Sequence, residues 1–108
     1  MRNGRYIEYG VERWYRHNKL HREDGPAITY PDGGEYWYRD GNYHRVEGPA
    51  VVHPNGYMAW YRDGKYHREG GPAVVRPDGT EEYWINGEPA DPLYADLLKV
   101  KEACNEER

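Results

Sequence analysis

The 108-residue sequence predicts a mainly β fold, a single-layer antiparallel meander of β-hairpins followed by one C-terminal α-helix. Three observations support this prediction. The stretch HREDGPAIT at residue 21 returns as HRVEGPAVV at residue 44 and as HREGGPAVV at residue 67, so the chain repeats every 23 residues. Each repeat holds two turn signals, and the repeats are followed by a segment whose apolar residues have helical spacing.

The repeat divides a single domain, residues 1–108, into consecutive units. A chain of this length supports one hydrophobic core and not two. The segments are a truncated first unit at residues 1–20, full units at 21–43, 44–66 and 67–89, and a capping helix with a tail at 90–108.

Each full unit is predicted to form two antiparallel strands between two kinds of turn. The first kind is a PDG or PNG turn beginning at Pro31, Pro54 or Pro77, where proline presets φ and glycine accepts the positive φ that follows. The second is an Asp-Gly or Asn-Gly pair, the strongest short signal for a two-residue type I′ hairpin. The first unit has His17 and Asn18 at this place, and both residue types tolerate positive φ.

The turns also predict which residues face each other. Closing the two-residue hairpin of the third unit places Tyr61 opposite Tyr66 and Trp60 opposite His67. Closing the PNG turn in the same way places Ala50 beside Trp60. The Gly-Pro step before each such alanine interrupts the ladder because proline has no N–H to donate. We expect a kink there, between pairing with one neighbour and pairing with the next.

The two ends of the array are predicted to differ. At residues 91–104 the repeat stops, Asp91 suits the N-cap and Pro92 the first turn of a helix. One face of that helix would carry Leu93, Leu97, Val100 and Cys104. Repeat arrays need their last unit covered, so a cap is the expected role. The N-terminal end has no such cover, and a strand around residues 5–9 is expected to be an exposed edge open to pairing with a second copy.

Composition excludes several function classes. The net charge of −4 disfavours nucleic acid as a partner. Cys104 has no cysteine to pair with, and no apolar run approaches the roughly 20 residues that span a bilayer. No basic cluster or strongly apolar helix favours a membrane surface. The start, MRNGRYIEYG, lacks a signal-peptide pattern. We therefore expect a cytoplasmic protein, in the host cytoplasm if it is viral.

The spacing DGxxxWYxxGxxH resembles the MORN repeat, and still more the HREDGPA-type MORN-like repeats of bacteriophage, large-virus and bacterial proteins. The resemblance covers residues 5–89. It is carried by turn glycines, aromatic residues and histidines, namely Gly33, Gly56, Gly79, Trp37, Trp60, Tyr83, His21, His44 and His67. The sequence departs from a typical MORN unit in having Gly-Pro where that unit has Gly-x-Gly after its histidine. The resemblance implies stacked hairpins in an elongated curved sheet and a role in interaction or scaffolding.

The repeated HREGGPAVV motif has the residue types of a metal or catalytic loop, but its spacing favours architecture. Two strands per unit would put His21, His44 and His67 roughly 10 Å apart, too far to share a zinc ion bound at about 2 Å. The chain has no P-loop and no serine for a triad, and Cys104 lies on the predicted cap face. We expect no metal, no cofactor and no enzymatic activity, with each histidine bonded across to a neighbouring turn.

Positions at which the units differ are the better candidates for function, because positions that repeat are held by the fold. The differences surround the PDG turns, and the middle unit has aromatic and thioether side chains of the kind enriched at interfaces. The predicted partner-binding residues are His53, Tyr57, Met58, Tyr30, Tyr36 and Arg76. Drift at solvated loop tips explains the same differences equally well.

The sequence thus predicts a non-enzymatic protein-binding module. By analogy with phage-type repeats, we expect an inhibitor or adaptor that acts on a larger protein, such as a host-defence component. The alternative is a nucleotide or nucleic-acid ligand held by Arg39, Arg62, Tyr38 and Tyr61, since arginine and aromatic side chains bind phosphates and stack on bases. In the competing interpretation, these arginines pair with Asp and Glu residues that recur with the same period.

Overall fold

The computed structural model describes residues 1–93. Only the first two strands in this range are longer than two residues, because turn signals interrupt the chain every few residues. In chain order the strands are Gly4–Glu8 (β1), Val11–Arg16 (β2), Lys19–Leu20 (β3), Ile28–Thr29 (β4), Glu35–Tyr36 (β5), Tyr38–Arg39 (β6), Asn42–Tyr43 (β7), Val51–Val52 (β8), Met58–Ala59 (β9), Tyr61–Arg62 (β10), Lys65–Tyr66 (β11), Val74–Val75 (β12), Glu81–Glu82 (β13), Trp84–Ile85 (β14) and Glu88–Pro89 (β15).

The strands form one main sheet and three small ribbons. The order in the main sheet is β1-β2-β4-β5-β8-β9-β12-β13, and β3 also pairs with β2. The ribbons are β6 with β7, β10 with β11, and β14 with β15. Every pairing is antiparallel. The predicted mainly β, antiparallel meander of hairpins is therefore confirmed.

The hairpin that joins β10 and β11 has the predicted register. Tyr61 is opposite Tyr66, and the His67 amide donates to the Trp60 carbonyl at 3.0 Å. Asp63 and Gly64 between them have φ values of 51° and 81°, as both central residues of a type I′ turn require.

The tryptophan amides bond to the alanine of the following unit. The Ala50 amide donates to the Ala59 carbonyl at 2.9 Å, and the Ala50 carbonyl accepts from the Trp37 amide at 2.7 Å. The Trp60 amide instead donates to the Ala73 carbonyl at 2.7 Å. The closed PNG turn nevertheless has the expected register, with Val51 opposite Ala59 and Val52 opposite Met58, so Ala50 and Trp60 follow as the next residues of the two strands. The Trp60 amide bonds to Ala73 because Val74 lies opposite Ala59 on the other side of β9.

The core is a single row of small residues inside the sheet. Four alanines have no exposed surface, and the remaining core residues are β-branched. The row consists of Ala27, Ile28, Ala50, Val51, Ala59, Ala73 and Val74. Small side chains suit this place because adjacent units approach each other closely, and the larger rings cover the row on both faces of the sheet.

The C-terminal helix was expected at residues 91–104, which lie mostly outside the described residues. At its expected start, Asp91 Oδ1 accepts a hydrogen bond from the Leu93 amide at 2.8 Å. Leu97, Val100 and Cys104 are not among the described residues. Within residues 1–93, no helix has the length and apolar character needed to cross a membrane.

Candidate functional site

The main sheet has two faces of different chemistry. Successive residues of a strand point to opposite faces, so the register assigns each side chain to one of them. We call one side the aromatic face; it carries the cross-strand series Tyr36, Val51, Ala59, Val74 and Glu82. We call the other the arginine face; its series is Glu35, Val52, Met58, Val75 and Glu81.

On the arginine face, tryptophan rings are covered by arginines of the same chain. The guanidinium carbons lie 4.2, 3.7 and 4.0 Å from the ring centroids in the pairs Arg22–Trp14, Arg45–Trp37 and Arg68–Trp60. Each of these guanidiniums also donates from Nη1 to a proline carbonyl, at 3.4, 3.1 and 3.1 Å. These arginines are held by the fold, and the tryptophan surfaces beneath them are occupied.

The repeated histidines tie neighbouring hairpins together. Nδ1 accepts a backbone N–H bond at 3.0 Å in the pairs His21–Asp40, His44–Asp63 and His67–Asn86. The expected role of the histidines, a bond across to a neighbouring turn, is confirmed. Burial, followed by the charge of Arg39, holds the pKa of His44 below its ordinary value. The lowered pKa favours the neutral imidazole that this bond requires.

The aromatic face carries a continuous cluster of rings near the turn tips. The centroids of Tyr30 and Tyr36 lie 5.5 Å apart with ring planes at 77°. Tyr36 is 5.7 Å from His53, and His53 is 5.0 Å from Tyr57. Such edge and tilted arrangements are the favoured geometries of aromatic pairs.

A second row of rings continues from this cluster across the hairpins. Tyr36 stacks on Tyr43 at 6.4 Å, Tyr43 is 4.9 Å from Tyr61, and Tyr61 is 4.7 Å from Tyr66. Burial, followed by the neighbouring Tyr66 hydroxyl, raises the pKa of Tyr57 to about 12. The proximity of Tyr57 to Tyr66 places the end of the second row beside the first.

Tyr43 and Tyr66 are absent from the predicted binding set because they recur at equivalent positions of the units, and repeated positions are expected to serve the fold. The signal that points to them is the type I′ hairpin itself. Its register places Tyr43 opposite Tyr38 and Tyr66 opposite Tyr61, and directly opposed residues lie on the same face. These tyrosines therefore belong to the framework and to the aromatic face at once.

A groove of about 410 Å³ opens between the first two PDG-type turns, beside the ring cluster. The tip of one wall is shaped by Asp32, whose Oδ1 accepts from the Gly34 amide at 2.9 Å. The lining residues are Tyr30, Asp32, Gly34, Tyr36, His53, Pro54 and Asn55. Three rings and one carboxylate thus surround a space open to solvent.

The structure brings together most of the predicted partner-binding residues. Tyr30, Tyr36, His53 and Tyr57 form the ring cluster. Arg76 lies on the same face, where its Nη1 bonds Glu82 Oε2 at 2.8 Å. Met58 is separated from the others, because it pairs with Val52 and Val75 and so points to the arginine face.

The residues of the nucleotide alternative are not brought to one surface. Tyr38 packs on Tyr43 at 4.6 Å on the aromatic face. The next residue, Arg39, points to the arginine face and donates to Asp63 Oδ1 at 3.0 Å. Tyr61 likewise lies on the aromatic face and Arg62 on the arginine face, where Arg62 Nη2 lies 3.7 Å from Glu69 Oε1.

Aromatic rings and tyrosine hydroxyls dominate the aromatic face. Burial raises the pKa of Tyr36 and of Tyr38 above the ordinary value for tyrosine, so these hydroxyls stay protonated at neutral pH. Residues 1–93 contain no group of three or more His, Cys, Asp or Glu placed to hold a metal ion. Comparisons with protein-family models, with curated proteins and with solved structures return no match.

Proposed function

We propose that the chain is a non-enzymatic protein-binding module of MORN-like hairpin repeats that engages its partner through the aromatic face. The observation that carries this proposal is the joining of Tyr30, Tyr36, His53 and Tyr57 into one ring cluster beside an open groove. Tyrosine provides a large, stiff contact area with a polar tip, and it is enriched among residues that dominate interface energetics.

The rest of the molecule supports this choice of surface. On the arginine face the tryptophan rings are already covered by the guanidiniums of Arg22, Arg45 and Arg68. On the aromatic face, Tyr30 is 36% exposed, and the groove beside it adds concave shape. A rigid cluster with one exposed edge needs little ordering when it binds, which lowers the entropic cost of association.

The biological role within this proposal is that of a small inhibitor or adaptor of a larger protein in the cytoplasm. A host-defence protein is the class implied by the resemblance to phage-type repeats, as analogy of fold and repeat type. The net charge of −4 favours a partner with a basic surface.

A quantitative pull-down from an extract of the native host tests the proposal. The immobilised protein is compared with His53→Ala and Tyr57→Ala, which remove rings from the cluster. We expect each variant to retain at least about tenfold less partner, since truncating an interface aromatic often costs more than about 1.4 kcal/mol. Thermal melting of each variant checks that the fold is intact.

Met58→Leu is the matched control, because it lies in the middle unit on the arginine face and conserves volume. Met58→Leu should retain as much partner protein as the wild type does. Equal retention by all four proteins would exclude the aromatic face as the binding surface. Loss with Met58→Leu alone would move the interface to the arginine face.

A further inference from the structure

Several aromatic rings of the chain carry an arginine of the same chain over one face. Arg22, Arg45 and Arg68 lie over tryptophan rings at about 4 Å. At the N-terminal end, the Arg2 guanidinium carbon lies 5.7 Å from the centroid of Tyr6 and 5.2 Å from that of Tyr15. Within residues 1–93, the rings of Tyr30, Tyr36 and His53 have no such cation over them. The ring faces beside the groove are therefore not occupied by a guanidinium of the described residues, in contrast to the faces of Trp14, Trp37 and Trp60.

The groove beside these rings also holds an uncompensated carboxylate. Asp32 uses Oδ1 to accept the Gly34 amide, and it makes no ion pair with any residue in the described part of the chain. No lysine or arginine is among the lining residues. The groove therefore combines electron-rich ring faces with a carboxylate that no described cation pairs with, which favours a cationic ligand.

The third unit shows how this face accommodates a guanidinium. Arg76 occupies the position, 23 residues on, that His53 has in the second unit and Tyr30 in the first. Its Nη1 bonds Glu82 Oε2 at 2.8 Å. A carboxylate thus holds an arginine on this face in the third unit, and Asp32 offers a carboxylate beside Tyr30 and Tyr36 without the cation.

We propose that the groove lined by Tyr30, Asp32, Tyr36 and His53 binds an arginine side chain of the partner protein. The guanidinium plane stacks on the rings while an N–H group faces the Asp32 carboxylate. Arginine fits better than lysine because its planar, weakly hydrated cation combines stacking with a directed hydrogen bond. The role in partner recognition rests on the proposed function, whereas the binding of the side chain is a property of the groove alone.

The test is an NMR titration of the full-length protein with N-acetyl-arginine amide, and in parallel with its neutral isostere N-acetyl-citrulline amide. The amides of Gly34, Tyr36 and Asn55 report on the groove. We expect saturable shifts at these amides with the arginine probe and at least threefold weaker binding of the citrulline probe. Equal binding of the two probes, or no shift at the groove amides, would overturn the proposal.

Asp32→Asn separates charge from structure, because the asparagine Oδ1 preserves the acceptor for the Gly34 amide. We expect it to weaken binding of the arginine probe about twofold to fivefold, as the loss of a partly exposed ion pair implies. Asp78→Asn is the matched control, since Asp78 Oδ1 accepts from the Thr80 amide at 2.9 Å in the equivalent turn of the third unit. Equal weakening by both variants would show a nonspecific charge effect and contradict the proposal.

The two proposals fail in different ways. If Tyr57→Ala releases the protein partner while Asp32→Asn retains it fully, the aromatic face binds protein without the proposed arginine contact. If the arginine probe binds as expected but no captured protein depends on Tyr57 or His53, the groove proposal holds and the proposed function is wrong.

Discussion

At the scale of single residues, the most restrictive contacts are those between a glycine and an arginine on the arginine face. A Cβ atom at Gly48 would lie 2.8 Å from Arg45 Cζ, closer than nonbonded carbon atoms approach. The guanidinium is held there by the Trp37 ring, 3.7 Å away, and by the Pro49 carbonyl, 3.1 Å from Nη1. The glycine of the HRxxGPA motif is therefore required for space.

Gly48→Ala should displace the Arg45 guanidinium and lower the free energy of unfolding by about 1–3 kcal/mol, the usual range for a named steric or hydrogen-bond disruption. Denaturant unfolding of the single and double variants measures this. In an Arg45→Ala background the same change should cost less than about 0.5 kcal/mol, because the guanidinium that the new Cβ atom would contact is absent. Equal costs in the two backgrounds would contradict the steric account.

His44 gives the fold a dependence on pH. Burial lowers its pKa in the folded state relative to the ordinary value of about 6.5, so the unfolded chain binds more protons in the interval between the two values. The stabilisation is therefore complete above about pH 6.5 and is lost as the pH falls towards the folded-state pKa. In the folded state Nδ1 also accepts a bond from the Asp63 amide at 3.0 Å, and a protonated Nδ1 cannot accept it.

His44→Asn should weaken this dependence, because the asparagine Oδ1 can accept the Asp63 amide and does not titrate. We expect the wild type to lose more stability than the variant between pH 7.5 and pH 5.5 in urea unfolding. Carboxylates with lowered pKa values, such as Glu12 and Asp40, act only below about pH 4.5 and leave this window unaffected. Parallel curves for the two proteins would contradict the role given to His44.

At the scale of strands and turns, ion pairs join successive hairpins. Arg16 bonds Asp40 at 2.8 Å, and Arg39 bonds Asp63 at 3.0 Å. The next pair in this series would join Arg62 to residue 86, which is asparagine. Arg62 instead lies 3.7 Å from Glu69. The series of charged contacts between hairpins thus stops before the last one.

Asn86→Asp should restore this contact and stabilise the fold by a few tenths of a kcal/mol, since both groups are about half exposed and solvent screens the pair. The gain should disappear in an Arg62→Gln background and shrink in 1 M NaCl. Chemical denaturation at two salt concentrations measures all of these differences. If Asn86→Asp stabilises the fold equally in the Arg62→Gln background, the aspartate acts on the conformation of the turn and not through Arg62.

The hairpins were predictable from sequence because Asp-Gly and Asn-Gly pairs determine their own turn geometry. The pairing of Trp60 with Ala73 was not, because it depends on the register between strands of neighbouring units, with Val74 opposite Ala59, which no local turn signal specifies. The separation of Met58 from the other predicted residues was not visible from the comparison of units either. Its selection rests on differences at the turn tips, whereas the alternation of side chains between the faces of a strand places it on the arginine face.

At the scale of the whole molecule, the division between the two faces was visible only in part from the sequence. The rings that vary, Tyr30, Tyr36 and His53, were found by comparing units. A comparison of units cannot identify the repeated rings, such as Tyr43 and Tyr66, because they serve the fold as well. Whether a repeated tyrosine also contributes to a surface depends on the register of its hairpin, and the sheet supplies that information.

Site-specific photocrosslinking tests the central claim, that the aromatic face binds the partner, most directly. A benzoylphenylalanine is placed at Tyr30 in one protein and at Thr29 in another; these neighbours point to opposite faces, and Thr29 pairs with Glu35. After irradiation in native extract, mass spectrometry compares the crosslinked products. The account predicts a partner crosslinked from position 30 and none from position 29, and a partner crosslinked only from position 29 would contradict it.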